Sequence, residues 1–178
     1  MSDTVVVADS TVLIFLGKLR RLEWLRTEYE SVTIPPKVYE EVVEKGIQMG
    51  ATDAVLVRNA VEDGWIEVRE TDPHEDVETW DLEAGETEVL SLALTHGYEE
   101  VLADEESVRE IARLNGLRPR GTLYFLLTAV RDGEITFEKF LDLLETLLEE
   151  GFYLDEAIYL EVVQEARRIA DEHTERQG

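Results

Sequence analysis

The chain has 178 residues, enough for one domain with or without a helical appendage, and its 44% apolar content excludes a disordered polymer. It lacks cysteine, which excludes a disulfide framework and any cysteine zinc site. Acidic residues number 41 against 17 basic ones, giving a net charge of −24. No apolar run reaches the ~20 residues of a membrane span and no signal peptide opens the chain, so we expect a cytoplasmic protein.

The acidic residues are spread along the whole chain rather than gathered in one tail. At ordinary ionic strength they repel one another and repel nucleic acid. At molar salt the Debye length falls to about 3 Å, and that repulsion largely disappears. The composition therefore favours adaptation to a salty cytoplasm, as in a halophilic archaeon, over an acidic tail or an acidic partner surface.

The first half of the chain opens with a buried strand. Residues 4–8 (TVVVA) are apolar and mostly β-branched, and they end at Asp9, after which Ser10 and Thr11 begin an apolar helix. Pro36 suits the first position of a later helix. The elements that follow in chain order are a helix over 19–29, a strand over 31–34, helices over 36–46 and 52–62, and a strand over 65–68.

The second half begins with a polar, acidic loop over 70–83. An apolar helix over 86–96 is closed by Gly97, and the strand that follows runs into Asp104. The remaining elements are a helix over 105–115, a short strand over 117–120, and helices over 122–131, 137–150 and 155–171. The apolar positions of the C-terminal helices predict core or dimer packing, with a groove for another protein as the alternative.

Short buried strands that alternate with helices predict an α/β fold with a parallel sheet covered on both faces. Such open sheets place their active sites at the carboxyl ends of the strands. Asp9 and Asp104 both follow predicted strands, so both are candidate site residues. Each could equally cap the helix that follows it, since Asp is among the best capping residues.

Helical-wheel geometry separates Glu86 from its neighbour Glu88. Glu86 falls on the same side as the apolar residues of its helix, whereas Glu88 falls opposite and is expected to face water. A carboxylate in the first turn also suits the helix dipole, which explains the presence of Glu86 but not its inward orientation. Glu40 and Glu41 flank the apolar side of their own helix almost symmetrically, and the wheel does not choose between them.

Together these acids would form a cluster of oxygen ligands. Several carboxylates cannot all ionise side by side unless a cation neutralises them, and no Lys or Arg lies near Asp9 in sequence. Oxygen-only sites suit Mg²⁺ or Mn²⁺ rather than zinc. Such an ion can activate water and stabilise a phosphodiester transition state.

Several segments resemble the motifs of PIN domains. The chain resembles the opening of the family at VVVADSTVLIFLGKL. It resembles the second motif, which has a Glu before an apolar pair, at IPPKVYEEVVEKG. One prokaryotic, VapC-like subgroup of the family has Gly-Glu-x-Glu in its third motif. The chain resembles the third and fourth motifs of this subgroup at AGETEVLSLALTHGYEEVLADEESVREIARLNGL. The subgroup's tail is resembled by RPRGTLYFLLTAVRDG and GFYLDEAIYLEVVQEA, so the resemblance covers almost the whole chain.

The resemblance also implies roles for individual residues, and it favours Glu41 over Glu40. The implied catalytic residues are Asp9, Glu41, Glu86 and Asp104. The implied metal ligands among them are Asp9, Glu86 and Asp104. The implied accessory residues are Thr11, through its hydroxyl, Glu88, and Glu105, which stands where the subgroup often has a second Asp; Ser10 supports the site more loosely.

The family implies a three-layer α/β/α fold with a central parallel sheet and additional C-terminal helices. We expect a single domain over 1–178, with the helices over 136–173 packed on it or forming a dimer or partner surface. The implied activity is that of a Mg²⁺- or Mn²⁺-dependent endoribonuclease, the toxin of a toxin–antitoxin pair. The implied partners are an RNA substrate, a cognate antitoxin and a second copy of the chain, with no membrane.

RNA binding by so acidic a protein needs a local basic patch, and four arginines lie within residues 109–120. Arg109 and Arg113 have helical neighbours for ion pairs, Glu105 and Glu110 respectively, which favours internal pairing. Arg118 and Arg120 lack such neighbours, which favours phosphate binding. Among the aromatic residues, Tyr124, Phe125 and Trp65 are expected in the core, whereas Trp80, in the acidic loop, is expected to be exposed and available to stack on a base.

Other functions fit less well. An Asp-nucleophile phosphatase needs a second Asp two residues after Asp9, where this chain has Thr11. A receiver-like switch needs a Lys after a late strand, and no Lys lies between Lys45 and Lys139. No glycine-rich phosphate loop is present. The remaining alternative is a catalytically degenerate PIN fold that acts as a binding module, against which the retention of all four acids argues.

Overall fold

The computed structural model describes residues 4–178, which form two compact units, one ending at Gly121 and the other running from Thr122 to Gly178. Whether both belong to the single domain expected over 1–178 stays a prediction, and residues 1–3 lie outside the described residues. None of the helices within 4–178 is both long and apolar enough to cross a membrane.

The first unit is built around strands β1 to β5. The strands are β1 (Val5–Ala8), β2 (Ser31–Ile34), β3 (Ile66–Val68), β4 (Glu100–Leu102) and β5 (Arg118–Arg120). The helices are α1 (Ser10–Lys18), α2 (Trp24–Glu28), α3 (Pro36–Tyr39), α4 (Lys45–Gln48), α5 (Thr52–Glu62), α6 (Ala84–Thr95) and α7 (Glu106–Leu114). A π-helical turn (Glu40–Glu44) joins α3 to α4, and a 3₁₀ turn (Val77–Thr79) lies in the acidic loop.

Within residues 4–121 the strands form one parallel sheet in the order β3-β2-β1-β4-β5, and helices flank it. The central strand β1 is apolar and β-branched, which suits a strand covered on both faces. Val6, Val7 and Ala8 are fully buried. The predicted α/β fold with a central parallel sheet is therefore confirmed, and it brings the carboxyl ends of β1, β2 and β4 to one edge.

Most predicted elements are present, with shifted ends, but the helix predicted over 19–29 is wrong in its first half. There the chain forms turns, and only Trp24–Glu28 is helical. Arg20 has a φ of 58°, a left-handed conformation that ends α1 and prevents a continuous helix. Leu22 and Leu25 are still buried, so the apolar spacing is satisfied by a turn followed by a short helix.

The second unit consists of α8 (Thr122–Arg131), α9 (Phe137–Glu149) and α10 (Glu156–Gln177). Thr136 and Asp155 cap the last two helices through their side-chain oxygens. The predicted apolar face of α9 is buried at Phe140, Leu144 and Leu147, while Leu148 is 38% exposed. Helix α10 packs on α8 and α9 and extends six residues beyond the predicted end at residue 171.

Candidate active site

Asp9 lies at the end of β1, where its backbone N–H donates to the carbonyl of Leu102 at 2.8 Å. Its carboxylate is buried, 4% exposed, and accepts a 2.8 Å hydrogen bond from the backbone N–H of Ser10. Burial, helped by the negative charges of Glu86, Glu41 and Asp104 and opposed by the hydrogen bond from Ser10, raises the pKa of Asp9 to about 7. Among residues 4–178 no Lys or Arg forms an ion pair with Asp9, and the charges of three acids act on its carboxylate.

Glu41 lies in the π-helical turn after β2, and its Oε2 accepts a 2.6 Å hydrogen bond from the hydroxyl of Ser10. Glu40 instead forms ion pairs with Lys37 and Lys45 on the exposed side. The structure thus separates the two acids that the helical wheel could not distinguish. A wheel assumes a regular α-helix, and the π turn changes the angle between successive side chains.

Glu86 occupies the third position of α6, within its first turn. Its side chain accepts from the backbone N–H of Glu83 at 3.1 Å, while Glu83 caps the same turn in return. Burial raises the pKa of Glu86, with further contributions from the charges of Glu83, Glu105 and Glu41. Glu86 therefore combines the two roles that the sequence suggested, a first-turn carboxylate and a member of the acidic cluster.

Asp104 follows β4, two residues beyond the last strand position, and its charge acts on Asp9. The cap position of α7 belongs to Glu105, so the alternative that Asp104 caps this helix is wrong. Gly121 lies directly against the carboxylate of Asp104, since a Cβ on Gly121 would be 2.8 Å from Oδ1. The same Cβ would lie 3.2 Å from Nη1 of Arg109, which places that guanidinium beside Asp104.

The three accessory residues have different surroundings. The hydroxyl oxygen of Thr11 is inaccessible to water and has no hydrogen-bond partner among the described residues. Glu105 is close enough to Glu86 to raise its pKa. Glu88 does not simply face water as predicted, because α6 packs on α3 and its Oε2 accepts from the backbone N–H of Lys37 at 3.1 Å.

The acids are brought together, but not as a tight group of three. Among the described residues, no three of the predicted acids place one oxygen each within 4.8 Å of one another. Direct coordination of one ion by three of them therefore needs side-chain rotation or bridging water, which Mg²⁺ tolerates well. A group that is this tight does occur at His74, Glu75 and Asp76, which are consecutive residues of the acidic loop and mostly exposed.

The arginines after Asp104 are all engaged with carboxylates. Arg109 is half-buried, which lowers its pKa, and it donates to the carbonyl of Ala103 at 3.0 Å. Arg109 and Arg113 are paired internally as expected, but both use Glu106 rather than Glu105 and Glu110. Glu106 lies in the first turn of α7 and reaches arginines three and seven residues further along the same face.

The expectation that Arg118 and Arg120 have no carboxylate partners is wrong. Arg118 pairs with Glu99 and Glu100, and Arg120 pairs with Glu100. These partners come from the neighbouring strand, where Glu100 is directly opposite Arg118 in the parallel register. A search for partners three or four residues away along a helix cannot detect such cross-strand pairs.

The expected exposure of Trp80 is also wrong. Its side chain is 9% exposed and stacks on the ring of His74 at 5.4 Å between ring centroids. The acidic loop therefore folds back on itself and covers this indole. Trp65 and Phe125 are buried, as expected for core residues.

Sequence reasoning gave too little weight to Ser10 and overlooked Gly85, Gly121 and Glu83. A Cβ on Gly85 would lie 3.1 Å from Oε1 of Glu41, so this glycine leaves room for the carboxylate. The Glu-x-x-Glu spacing of Glu83 and Glu86 is a signal for a reciprocal helix cap that could have been found. The closeness of the glycines to the acids depends on tertiary packing and has no local signal.

A parallel sheet with four acids from four separate segments near its carboxyl edge defines an α/β protein with a nuclease-type fold. Residues 5–168 match the family model of the PIN domain, and the chain belongs to this family. The family identifies the protein as a nuclease-type hydrolase in general terms, and PIN nucleases generally use divalent metal ions. A search of curated proteins finds no match to the chain.

Proposed function

We propose that this PIN-domain protein is an endoribonuclease that depends on Mg²⁺ or Mn²⁺ and is the toxin of a toxin–antitoxin pair. The observation that carries the proposal is the environment of Asp9. Its buried carboxylate faces the charges of Glu86, Glu41 and Asp104 and has no ion pair with a base among the described residues. Such a group is stabilised in its ionised form by a cation.

The residues present fit a hard divalent cation. Asp9, Glu86 and Asp104 offer oxygen donors only, the set that Mg²⁺ and Mn²⁺ prefer. When bound, the ion supplies charge stabilisation at the phosphodiester and makes a water molecule more acidic. Glu41 is held through Oε2 by the Ser10 hydroxyl, which leaves Oε1 to accept a proton from the attacking water.

The RNA substrate requires cations beside these acids. We assign phosphate contacts to the arginines of this region, Arg109, Arg113, Arg118 and Arg120. Arg109, Arg113 and Arg118 pair with exposed carboxylates, Glu106 at 75% and Glu99 at 78% of the side-chain surface, whereas Glu100, which pairs with Arg118 and Arg120, is 12% exposed. Exposed ion pairs contribute at most about 1 kcal/mol, so a phosphate can replace the exposed carboxylates at little cost.

The proposed partners are a cognate antitoxin and a second copy of the chain. The second unit exposes apolar side chains that suit protein contacts, with Tyr153 at 87%, Leu160 at 52% and Ile158 at 44%. The 41 acids spread along the chain support a protein that acts in a salty cytoplasm. There, salt screens the repulsion between an acidic protein and RNA. Assembly and cleavage are therefore best examined in molar KCl.

The activity is tested with a fluorescently labelled single-stranded RNA in molar KCl and Mn²⁺. We expect cleavage by the wild type, none with EDTA, and a loss of at least about 100-fold in Asp9→Asn. Glu110→Gln removes one exposed negative charge in the middle of α7 and serves as the matched control. A wild type that binds RNA without cleaving it would support the binding-module alternative instead.

A further inference from the structure

We propose that Glu88 is a positioning residue, which caps the helix that carries Glu41, and not a metal ligand. The inference rests on the proposed function, since it concerns the same acidic site. Its starting point is one hydrogen bond, in which the backbone N–H of Lys37 donates to Oε2 of Glu88 at 3.1 Å, across 51 positions of sequence. The bond connects the second turn of α6 to the first turn of α3.

The start of α3 needs such an acceptor from elsewhere in the protein. The first N–H groups of a helix have no partner within it, and Pro36 at the first position has no N–H at all. Pro35, at the cap position, has no side-chain oxygen to offer. Lys37 therefore presents the first free N–H of this helix, and Glu88 accepts from it with a charged oxygen that also suits the positive end of the helix.

The start of α3 affects the position of Glu41 because continuous helix connects the two. Glu41 lies four residues after Lys37, about 6 Å along the axis, and the helical path continues without a break through the π turn. Glu86 lies two residues before Glu88 on α6. Glu88 thus ties together the two helices that carry Glu41 and Glu86, and it fixes the spacing of these acids while one of its own oxygens is engaged by backbone.

Two substitutions test whether Glu88 acts as a helix cap or as a metal ligand. Glu88→Gln keeps a carbonyl oxygen that can accept from Lys37, whereas Glu88→Ala has no acceptor. The readouts are the hydrogen-exchange rate of the Lys37 amide, measured by NMR, and the affinity for Mn²⁺, measured by calorimetry in molar KCl. Glu110→Gln and Glu110→Ala make the same two changes at an exposed position of α7 and serve as controls.

For a cap, we expect Glu88→Gln to retain slow exchange at Lys37 and to bind Mn²⁺ within about threefold of the wild type. Glu88→Ala should exchange about tenfold faster at Lys37 and bind Mn²⁺ more weakly. Equal and large losses of Mn²⁺ binding in both variants, with Lys37 exchange unchanged, would overturn the proposal and make Glu88 a ligand.

The two proposals fail in distinguishable ways. If the wild type binds no Mn²⁺, the proposed function fails, but the Lys37 exchange rates still decide whether Glu88 caps the helix. If Glu88→Ala does not fold, Glu88→Gln alone carries the test. Wild-type exchange at Lys37 together with Mn²⁺ binding within about threefold of the wild type in Glu88→Gln then supports the cap, and a large loss of Mn²⁺ binding with unchanged Lys37 exchange contradicts it.

Discussion

The hydroxyl of Ser10 donates a 2.6 Å hydrogen bond to Oε2 of Glu41, 31 residues further along the chain. Ser10 begins α1 after β1, and Glu41 lies in the π turn after β2, so two adjacent parallel strands bring them together. A bond to a charged acceptor of this kind contributes about 1.5–3 kcal/mol. It fixes one oxygen of Glu41. The other oxygen lies beside Gly85, which has no side chain and so leaves space for it.

Ser10→Ala removes this bond and is expected to lower kcat by about 10- to 100-fold, because Glu41 loses its fixed orientation. Ser10→Thr retains a hydroxyl and should recover most of the activity. Steady-state RNA cleavage measures both, with Ser107→Ala, at an exposed position of α7, as the control. An unchanged kcat in Ser10→Ala would show that the bond does not serve the reaction.

The stability of the protein should depend on pH through Asp9. Its pKa is raised from 3.8 to about 7 by burial and by the charges of Glu86, Glu41 and Asp104, so the folded state keeps a proton that the unfolded chain has lost. The free energy of unfolding should therefore fall as the pH rises from about 4 to about 7, by on the order of 4 kcal/mol.

Urea unfolding in EDTA at a series of pH values tests this linkage. Asp9→Asn carries no titrating group at this position, so it should lose most of that slope and be more stable than the wild type at pH 8. Glu110→Gln should keep the slope. A wild type and an Asp9→Asn variant with the same pH dependence would contradict the assigned pKa.

Gly121→Ala tests the close approach of backbone to Asp104. The new Cβ would lie 2.8 Å from Oδ1 of Asp104, a distance that real Cβ atoms essentially never show, so the carboxylate must move. We expect weaker Mn²⁺ binding, by about tenfold or more, in a protein that still folds. Calorimetry gives the affinity and thermal unfolding the stability.

Gly50→Ala is the matched control for that substitution. Gly50 has a φ of 74° and no atom within 4 Å of a built Cβ, so alanine there strains the backbone without touching the site. It should lower the melting temperature and leave the Mn²⁺ affinity intact. The reverse pattern, with Gly121→Ala binding normally, would show that Asp104 is not constrained by Gly121.

The stability should also rise with salt. With a net charge of −24, repulsion acts over a Debye length of about 10 Å at 0.1 M salt and about 3 Å at 1 M. We expect the melting temperature to increase between 0.1 and 2 M KCl, and NaCl to act similarly where screening is the cause. A melting temperature that is flat or falls with salt would remove the support for a salty cytoplasm.

The sequence predicts most of the fold because the central strand β1 is a short apolar run and many helices have clear ends. It places Asp9 and Asp104 correctly because each follows a buried strand, and the register then brings them to one edge. A helical wheel places Glu86 on the apolar side of α6, a regular helix, and its side chain is partly buried there. The positions of these three residues can be predicted from local periodicity and from the rule that the carboxyl ends of parallel strands lie at the same edge of a sheet.

The rest depends on contacts that no local pattern reports. Glu41 lies in a π turn, so an α-helical wheel does not distinguish it from Glu40. Glu88 accepts a hydrogen bond from the Lys37 amide on another helix, and Arg118 forms an ion pair with Glu100 on another strand. Trp80 is covered by His74 of its own loop, whose fold follows from stacking rather than from periodicity.

The most direct test of the proposed metal site is Mn²⁺ binding by calorimetry in molar KCl, with the wild type, Asp9→Asn, Glu86→Gln and the control Glu110→Gln. We expect specific binding by the wild type and the control, lost or weakened by at least about tenfold in both site variants. Weak binding that neither site substitution changes would contradict it, because the acids around Asp9 would then not form one metal site.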